Sequence, residues 1–313
     1  MVLGLGRRHV HLENANDPTS PNNSAPLEIS SSTNIVAPRL LVAHNNQDVN
    51  SSALSVYNSS DVLVEECEAY DFSLGGIAVA NGSVRRSYAS TRLLRNVALG
   101  DGFGFLSSLF DSTTNHNIGT HLVDHVSIDA VNDGFYFRSN MQASCTRCTA
   151  IGSAMSGWLA DTLTNHTDAA SSSCSNCLVV DNSDTGFHVE VQAAGWSITS
   201  SNAFGNATDF TPTGVSELVR PSGIDPQLDG CLVYLPAGSP MRGTAFGDIG
   251  AEVEYRYVDG ALTTVPLWHP ITGAFSCGAV VAGVNDDPAT SCSGVHERLH
   301  VGTSGCALPY PAP

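Results

Sequence analysis

Gly134-Phe135-Tyr136-Phe137 sets a glycine against an apolar–polar–apolar triplet, and the figure recurs along the chain. Upstream stand Gly76-Ile77-Ala78-Val79 and Gly102-Phe103-Gly104-Phe105. Downstream stand Gly157-Trp158-Leu159-Ala160 and Gly186-Phe187-His188-Val189. Leu27-Glu28-Ile29 and Leu54-Ser55-Val56 carry the triplet without the glycine. The first positions of successive copies are 27, 23, 26, 32, 23 and 29 residues apart. The outer positions of every triplet are apolar and the middle one varies, as in a strand buried on one face. Its return at this interval is the period of a solenoid coil.

A second apolar stretch precedes each glycine. In register, these stretches predict two inward columns: Val64, Leu94, Val123, Cys145, Cys174, and Cys67, Val97, Val126, Cys148, Cys177. The polar pairs between the columns, such as Asp124-His125 and Thr146-Arg147, read as a bend. One coil is then strand, bend, strand, glycine turn, strand and a loop of variable length. Insertions such as 107–118 and 162–173 fall in that loop. A single coil cannot bury its apolar face, so coils must stack into parallel sheets around a common interior.

These columns resemble the right-handed parallel β-helix of the pectate-lyase-like superfamily, over roughly residues 9–210. The expected fold is all-β, a right-handed parallel β-helix of about seven or eight coils with a small C-terminal β-rich module. Residues 1–212 are assigned to the helix, and His9-Val10-His11-Leu12 enters mid-pattern like a coil cut short. Pro212, Pro221, Gly223 and Pro226 break the period, so 213–313 are assigned to a module that caps the solenoid end. Within it, Val253–Val258 followed by Asp259-Gly260 signals a hairpin. The resemblance implies a fold rather than a reaction, because that superfamily includes lyases, hydrolases, epimerases, phage tailspikes and non-catalytic surface proteins.

Composition narrows the partners. The net charge is −17, and all 13 basic residues are arginine. A duplex nucleic-acid binder needs a basic face, so no nucleic-acid partner is expected. A long acidic polymer is repelled unless arginines cluster locally. No stretch approaches the ~18 apolar residues of a membrane span. Met1–Arg8 is too short and too weakly apolar for a secretory signal. Sequons begin at Asn50, Asn58, Asn81, Asn165 and Asn206, as chance produces in an Asn/Ser-rich chain.

Nine cysteines leave at least one thiol unpaired in a monomer. Cys145-Thr146-Arg147-Cys148 and Cys174-Ser175-Asn176-Cys177 have the spacing of a four-thiolate zinc site. They also fall in columns that hold Val and Leu in other coils. A stack of buried thiols is therefore expected ahead of cross-coil disulfides or a metal. His116, His121, His125 and His166 are expected to face solvent.

The outward face carries the candidate site. The middle residues of the triplets form one column: Glu28, Ser55, Ala78, Gly104, Tyr136, Leu159, His188. Two residues on lies another: Ser30, Tyr57, Ala80, Leu106, Arg138, Asp161, Glu190. Only the last three coils bring together Tyr136, Arg138, Asp161, His188 and Glu190. Arg138 suits neutralisation of a uronate carboxylate, with His188 or Tyr136 as base or acid in a β-elimination. Asp161 and Glu190 suit glycoside hydrolysis, which uses two carboxyls ~5–9.5 Å apart. The plain alternative is a surface salt ladder worth ~0–1 kcal/mol. Asp101, Asp133 and Asp184 stand by turn glycines, where calcium binding competes with ordinary turn chemistry. With the superfamily resemblance, these residues imply an extracellular or cell-surface protein that cleaves or binds polysaccharide. The alternative is a non-catalytic, adhesin-type structural solenoid.

Overall fold

Phe135 lies beside Trp158, Trp158 beside Phe187 and Phe187 beside Phe210, all in parallel strands. That register repeats around a parallel β-solenoid with no helix among the described residues. The computed structural model describes residues 10–13, 27–30, 32–38, 40–43, 52–57, 59–65, 67–70, 74–81, 91–94, 97–99, 102–109, 117–118, 120–138, 140–141, 143–161, 172–190, 196–211, 215–219, 223–228, 238–245, 247–251, 255–258 and 261–266. Each coil gives one strand to each of three sheets. In one coil, Thr120–Val123 belongs to the first sheet, Val126–Ile128 to the second and Phe135–Arg138 to the third. Thr120 to Thr211, where all three strands and the two corners between them are described, make about four turns; seven or eight were expected. Further strand segments extend each sheet to eight strands in the same order.

The corners are built on left-handed backbone. Between the first two sheets Asp124, Arg147, Asn176 and Ser200 have φ of 54, 49, 55 and 50°. Between the second and third, Asp129, Gly152, Asp181 and Gly205 have φ of 51, 70, 54 and 73°. Asp, Asn and Gly tolerate this region best, so most of these positions have the residue types the backbone favours. Polar side chains then tie coil to coil. Arg147 donates from Nε and Nη2 to the two carboxylate oxygens of Asp124, each at 2.7 Å. Asn182 Oδ1 accepts from the Ser153 amide at 2.9 Å, and Asn206 Oδ1 accepts from the Asn182 amide at 3.0 Å. The Asn206 side chain is thus engaged inside a ladder, which leaves its sequon with a structural task.

The glycines before the third-sheet strands are required by space. A Cβ on Gly157 would stand 2.6 Å from Asn182 Nδ2 and 3.0 Å from Val179 Cβ. A Cβ on Gly186 would meet the Asp209 carbonyl at 2.6 Å and Asn206 Nδ2 at 2.8 Å. Gly134 in the coil below is crowded likewise, by the Gly157 carbonyl at 2.6 Å, and one coil further down the crowded glycine is Gly104, whose Cβ would overlap the Ser127 side chain. This corrects the register at the fourth triplet. Phe105, not Phe103, pairs with Ile77 and Phe135. Phe105 is buried, whereas Phe103 is half-buried and stacks on Tyr136 with ring centroids 5.3 Å apart. A slip of two residues keeps every side chain on its original face, so alternation alone did not reveal it.

The interior is one continuous core. Phe105, Phe135, Phe137, Trp158, Phe187 and Trp196 are fully buried. Phe137 lies 5.5 Å from Trp158, and the first sheet inserts Trp196 at 4.7 Å from Trp158. Truncating a buried ring of this kind to Ala costs about 3–5 kcal/mol. By pairing, Ala37, Val64, Leu93, Leu122, Cys145, Cys174 and Ile198 stand level in the first sheet, and Ala37, Val64, Leu122, Cys145, Cys174 and Ile198 are buried. Leu122 therefore replaces the expected Val123, and Leu94 is level with Val123 and Glu65 rather than with Val64. The same shift puts His125, not Val126, in line with Cys148, because Val126 pairs with Thr149. His125 is buried, contrary to its expected exposure. Its ring lies edge-on to Phe105 and Phe135, at 6.0 and 5.5 Å.

The first sheet continues through Val215–Val219, which pairs with Trp196–Thr199, so solenoid pairing runs past residue 212. Part of the C-terminal region packs on the flank of the second sheet. Met241 and Ile249 cover Leu178 and Val180, and the Gly250 amide donates to the Asn176 carbonyl at 2.8 Å. Tyr255–Val258 and Ala261–Pro266 form the expected antiparallel hairpin. Trp268, Asp101, His116, His166 and Cys231, Cys277, Cys292 and Cys306 lie outside the described residues.

Candidate functional site

Strand pairing places the five predicted residues on adjacent coils of the third sheet. Tyr136 is level with Leu159 and Leu159 with His188, while Arg138 is level with Asp161. The Glu190 amide donates to the Ala160 carbonyl at 3.0 Å, which sets Glu190 beside Asp161. All five side chains are half-buried, on the face opposite the aromatic core. In the earlier coils the same column is occupied by Ala78 and Leu106, both buried. Leu106 takes the place expected for Gly104, because of the two-residue shift. Neighbouring side chains on one face lie roughly 4.8 Å apart across coils and about 6.6 Å apart along a strand. The polar face that begins at Tyr136 is thus of sugar-ring dimensions.

Asp161 is the hub. Tyr136 donates its hydroxyl to Asp161 Oδ2 at 3.1 Å, and Arg138 Nε approaches the same oxygen at 3.9 Å. Burial and then the Asp161 charge push the Tyr136 phenol above its ordinary value, so it donates a proton in this arrangement rather than accepting one. Burial also raises Glu190; the Asp161 charge and a hydrogen bond with Asp161 add to the rise, and His188 offsets part of it. Two neighbouring carboxyls differ in environment here. Asp161 faces a phenol and a guanidinium, and burial holds the Glu190 carboxyl above its ordinary value.

Two further acids belong to this field, Asp133 and Asp184, for which the sequence sets turn chemistry against calcium binding. Asp133 is buried, and its carboxyl is raised chiefly by that burial. Its Oδ1 accepts from the Ser156 amide at 2.9 Å, which opposes the rise, as does His188. Exposed Asp184 adds to it. The sequence signal for their proximity to His188 was the coil register itself, since Asp133 and Asp184 precede Gly134 and Gly186 by one and two residues. Asp133 serves a backbone amide, in line with turn chemistry. Among the described residues, the group of His, Cys, Asp or Glu close enough to share a metal is Cys145, Cys148 and Cys177, away from this face.

Among the described residues, Cys67, Cys145, Cys148, Cys174 and Cys177 lie inside the solenoid, as their columns predicted. Cys145 and Cys148 are joined by a disulfide within one motif, in place of the expected stack of free thiols. Cys67, Cys174 and Cys177 are buried and lie outside that disulfide.

Comparison with protein-family models, curated proteins and solved structures finds no match to this chain. Among the described residues no helix is long and apolar enough to cross a membrane.

Proposed function

We propose that this chain is a secreted, pectate-lyase-like β-solenoid that binds or cleaves polysaccharide on the third-sheet face formed by Tyr136, Arg138, Asp161, His188 and Glu190. The observation that carries the reading is the Asp161–Glu190 pair, two carboxyls level on adjacent coils, Asp161 accepting from Tyr136 and Glu190 raised chiefly by burial. Glu190 is suited to giving a proton to a glycosidic oxygen, and Asp161 to assisting as carboxylate. Carboxyls that share a hydrogen bond stand closer than the ~5–9.5 Å hydrolysis uses, so cleavage requires bound substrate to part them. Elimination has less support. Arg138, the cation it would use, is turned toward Asp161, and a net charge of −17 opposes a polyuronate.

The test is a panel of neutral and acidic polysaccharides, with and without calcium, read for binding, new reducing ends and the ultraviolet absorbance of an unsaturated product. Binding or turnover that is lost in Glu190→Gln and Asp161→Asn, with unfolding unchanged, supports the reading. The rival is a non-catalytic, adhesin-type structural solenoid, favoured by the contacts Tyr136 and Arg138 already make with Asp161. Absence of any binding across the panel decides for it.

A further inference from the structure

The solenoid interior holds four sulfurs from two consecutive coils. Cys145 is level with Cys174, and the flanking pair Thr149 and Leu178 sets Cys148 level with Cys177. The lower pair is a disulfide with Cα atoms 6.2 Å apart. That is within the ~4.4–6.8 Å that disulfides span. The upper pair sits on the same bend. Arg147 and Asn176, the last residues before the second cysteines, share a left-handed conformation at φ 49 and 55°. Cys174 Sγ lies 2.6 Å from Cys177 Sγ. Ordinary contact between non-bonded heavy atoms is about 3.5–4.0 Å, so this approach is much closer than packing gives.

From the repeated bend and the sulfur approach we infer that Cys174 and Cys177 close into a second disulfide, one coil above Cys145–Cys148, so that the lumen contains two stacked cystines. Each cystine forms when two thiols lose two protons and two electrons. The acceptor is a disulfide-exchange oxidant, itself reduced to a dithiol, acting before the lumen closes. The inference is independent of the polysaccharide reading.

A tetrahedral metal on the four sulfurs fits less well. A zinc–sulfur bond of about 2.3 Å sets sulfurs roughly 3.8 Å apart, wider than the Cys174–Cys177 approach. Four thiolates would also bring negative charge into a lumen lined by Ala160, Trp158, Val179 and Ile198. Burial, followed by the neighbouring Cys177, already pushes the Cys174 thiol well above its ordinary value. A neutral cystine has no such cost.

The test uses the intact wild-type protein, so no variant has to fold. Native mass spectrometry first counts bound metal. The protein is then denatured in guanidinium with excess N-ethylmaleimide and no reductant, and digested with trypsin and chymotrypsin. Cleavage after Leu163 and Leu178 isolates Cys174 and Cys177 in one fragment, and cleavage after Arg147 separates Cys145 from Cys148. The expected result is an unlabelled 164–178 fragment, lighter by two hydrogens than its reduced form, and two fragments joined through Cys145–Cys148. Two labels on 164–178 overturn the inference. With stoichiometric metal in the native protein they assign a thiolate centre; without it, a buried dithiol. A bond joining either upper cysteine to a lower one overturns it as well.

Discussion

Asp129 places a carboxylate oxygen where the side chain of Gly152 would begin, and Asp181 does the same to Gly205 one repeat of the pattern later. Aspartate and glycine thus alternate up this corner, each carboxylate occupying the room of a missing methyl on the next coil. Ala at Gly152 or Gly205 meets both a left-handed φ and that carboxylate. Gly243 also has positive φ, 60°, with nothing within 4 Å of its absent Cβ. Gly243→Ala is expected to lose about 1 kcal/mol from backbone strain alone. Gly152→Ala and Gly205→Ala should each lose roughly 2–4 kcal/mol, strain and overpacking together, in urea unfolding.

Asp129 has a pH consequence. Burial raises its carboxyl from 3.8 to about 7. The folded state therefore holds a proton that the unfolded state releases between these values. Stability from this group falls as pH rises from 4 to 7, by at most about 1.4 kcal/mol per unit. Asp129→Asn minus wild type, measured as unfolding free energy against pH, should rise across that window.

His125 acts with the opposite sign. Its folded value is lowered from 6.5 to about 3 by burial, and both ring nitrogens lack a hydrogen-bond partner among the described residues. Below pH 6.5 the unfolded state takes a proton the folded state refuses, so stability is lost as pH falls toward 3. From 4 to 6.5 the slopes of His125 and Asp129 oppose one another, and the wild type masks both. His125→Leu should be more stable than wild type by ~1–2 kcal/mol above pH 7, because two unsatisfied polar atoms leave the core. Its advantage should widen on acidification. A variant less stable than wild type at pH 8 would refute this account of the core.

At the candidate site, Asp161→Asn removes the charge that raises Glu190, so the Glu190 carboxyl should titrate nearer its ordinary value. Carboxyl carbon NMR reads this directly, whatever the ligand. Tyr136→Phe loses the hydroxyl bond to Asp161 and should cost about 1 kcal/mol in thermal or urea unfolding.

The parallel solenoid and its outward Tyr136–His188 face were legible because period-two alternation is preserved across the last coils. Three features were not. Phe103 and Phe105 flank Gly104 symmetrically, and only the crowding of Gly104 by Ser127 selects the register. Val123 and Val126 are apolar and resemble core residues, yet the inward places go to Leu122 and His125. A histidine among cysteines breaks a composition rule, not a spacing rule: Leu122 to His125 is three residues, as is Cys145 to Cys148. The number of turns was over-read as well, since triplets recur through stretches where a full turn is not described.

Asp248 and Ala251 make contacts far back along the chain. Asn176 donates its side-chain amide to the Asp248 carbonyl at 3.1 Å, and the Ala251 amide reaches Thr149 Oγ1 at 2.8 Å, across 102 residues of sequence. During synthesis the coils around Thr149 and Leu178 emerge long before the segment that shields their outer side. A nascent chain therefore carries a greasy flank until the covering segment has been made, and that interval is when a chaperone or another copy would find it.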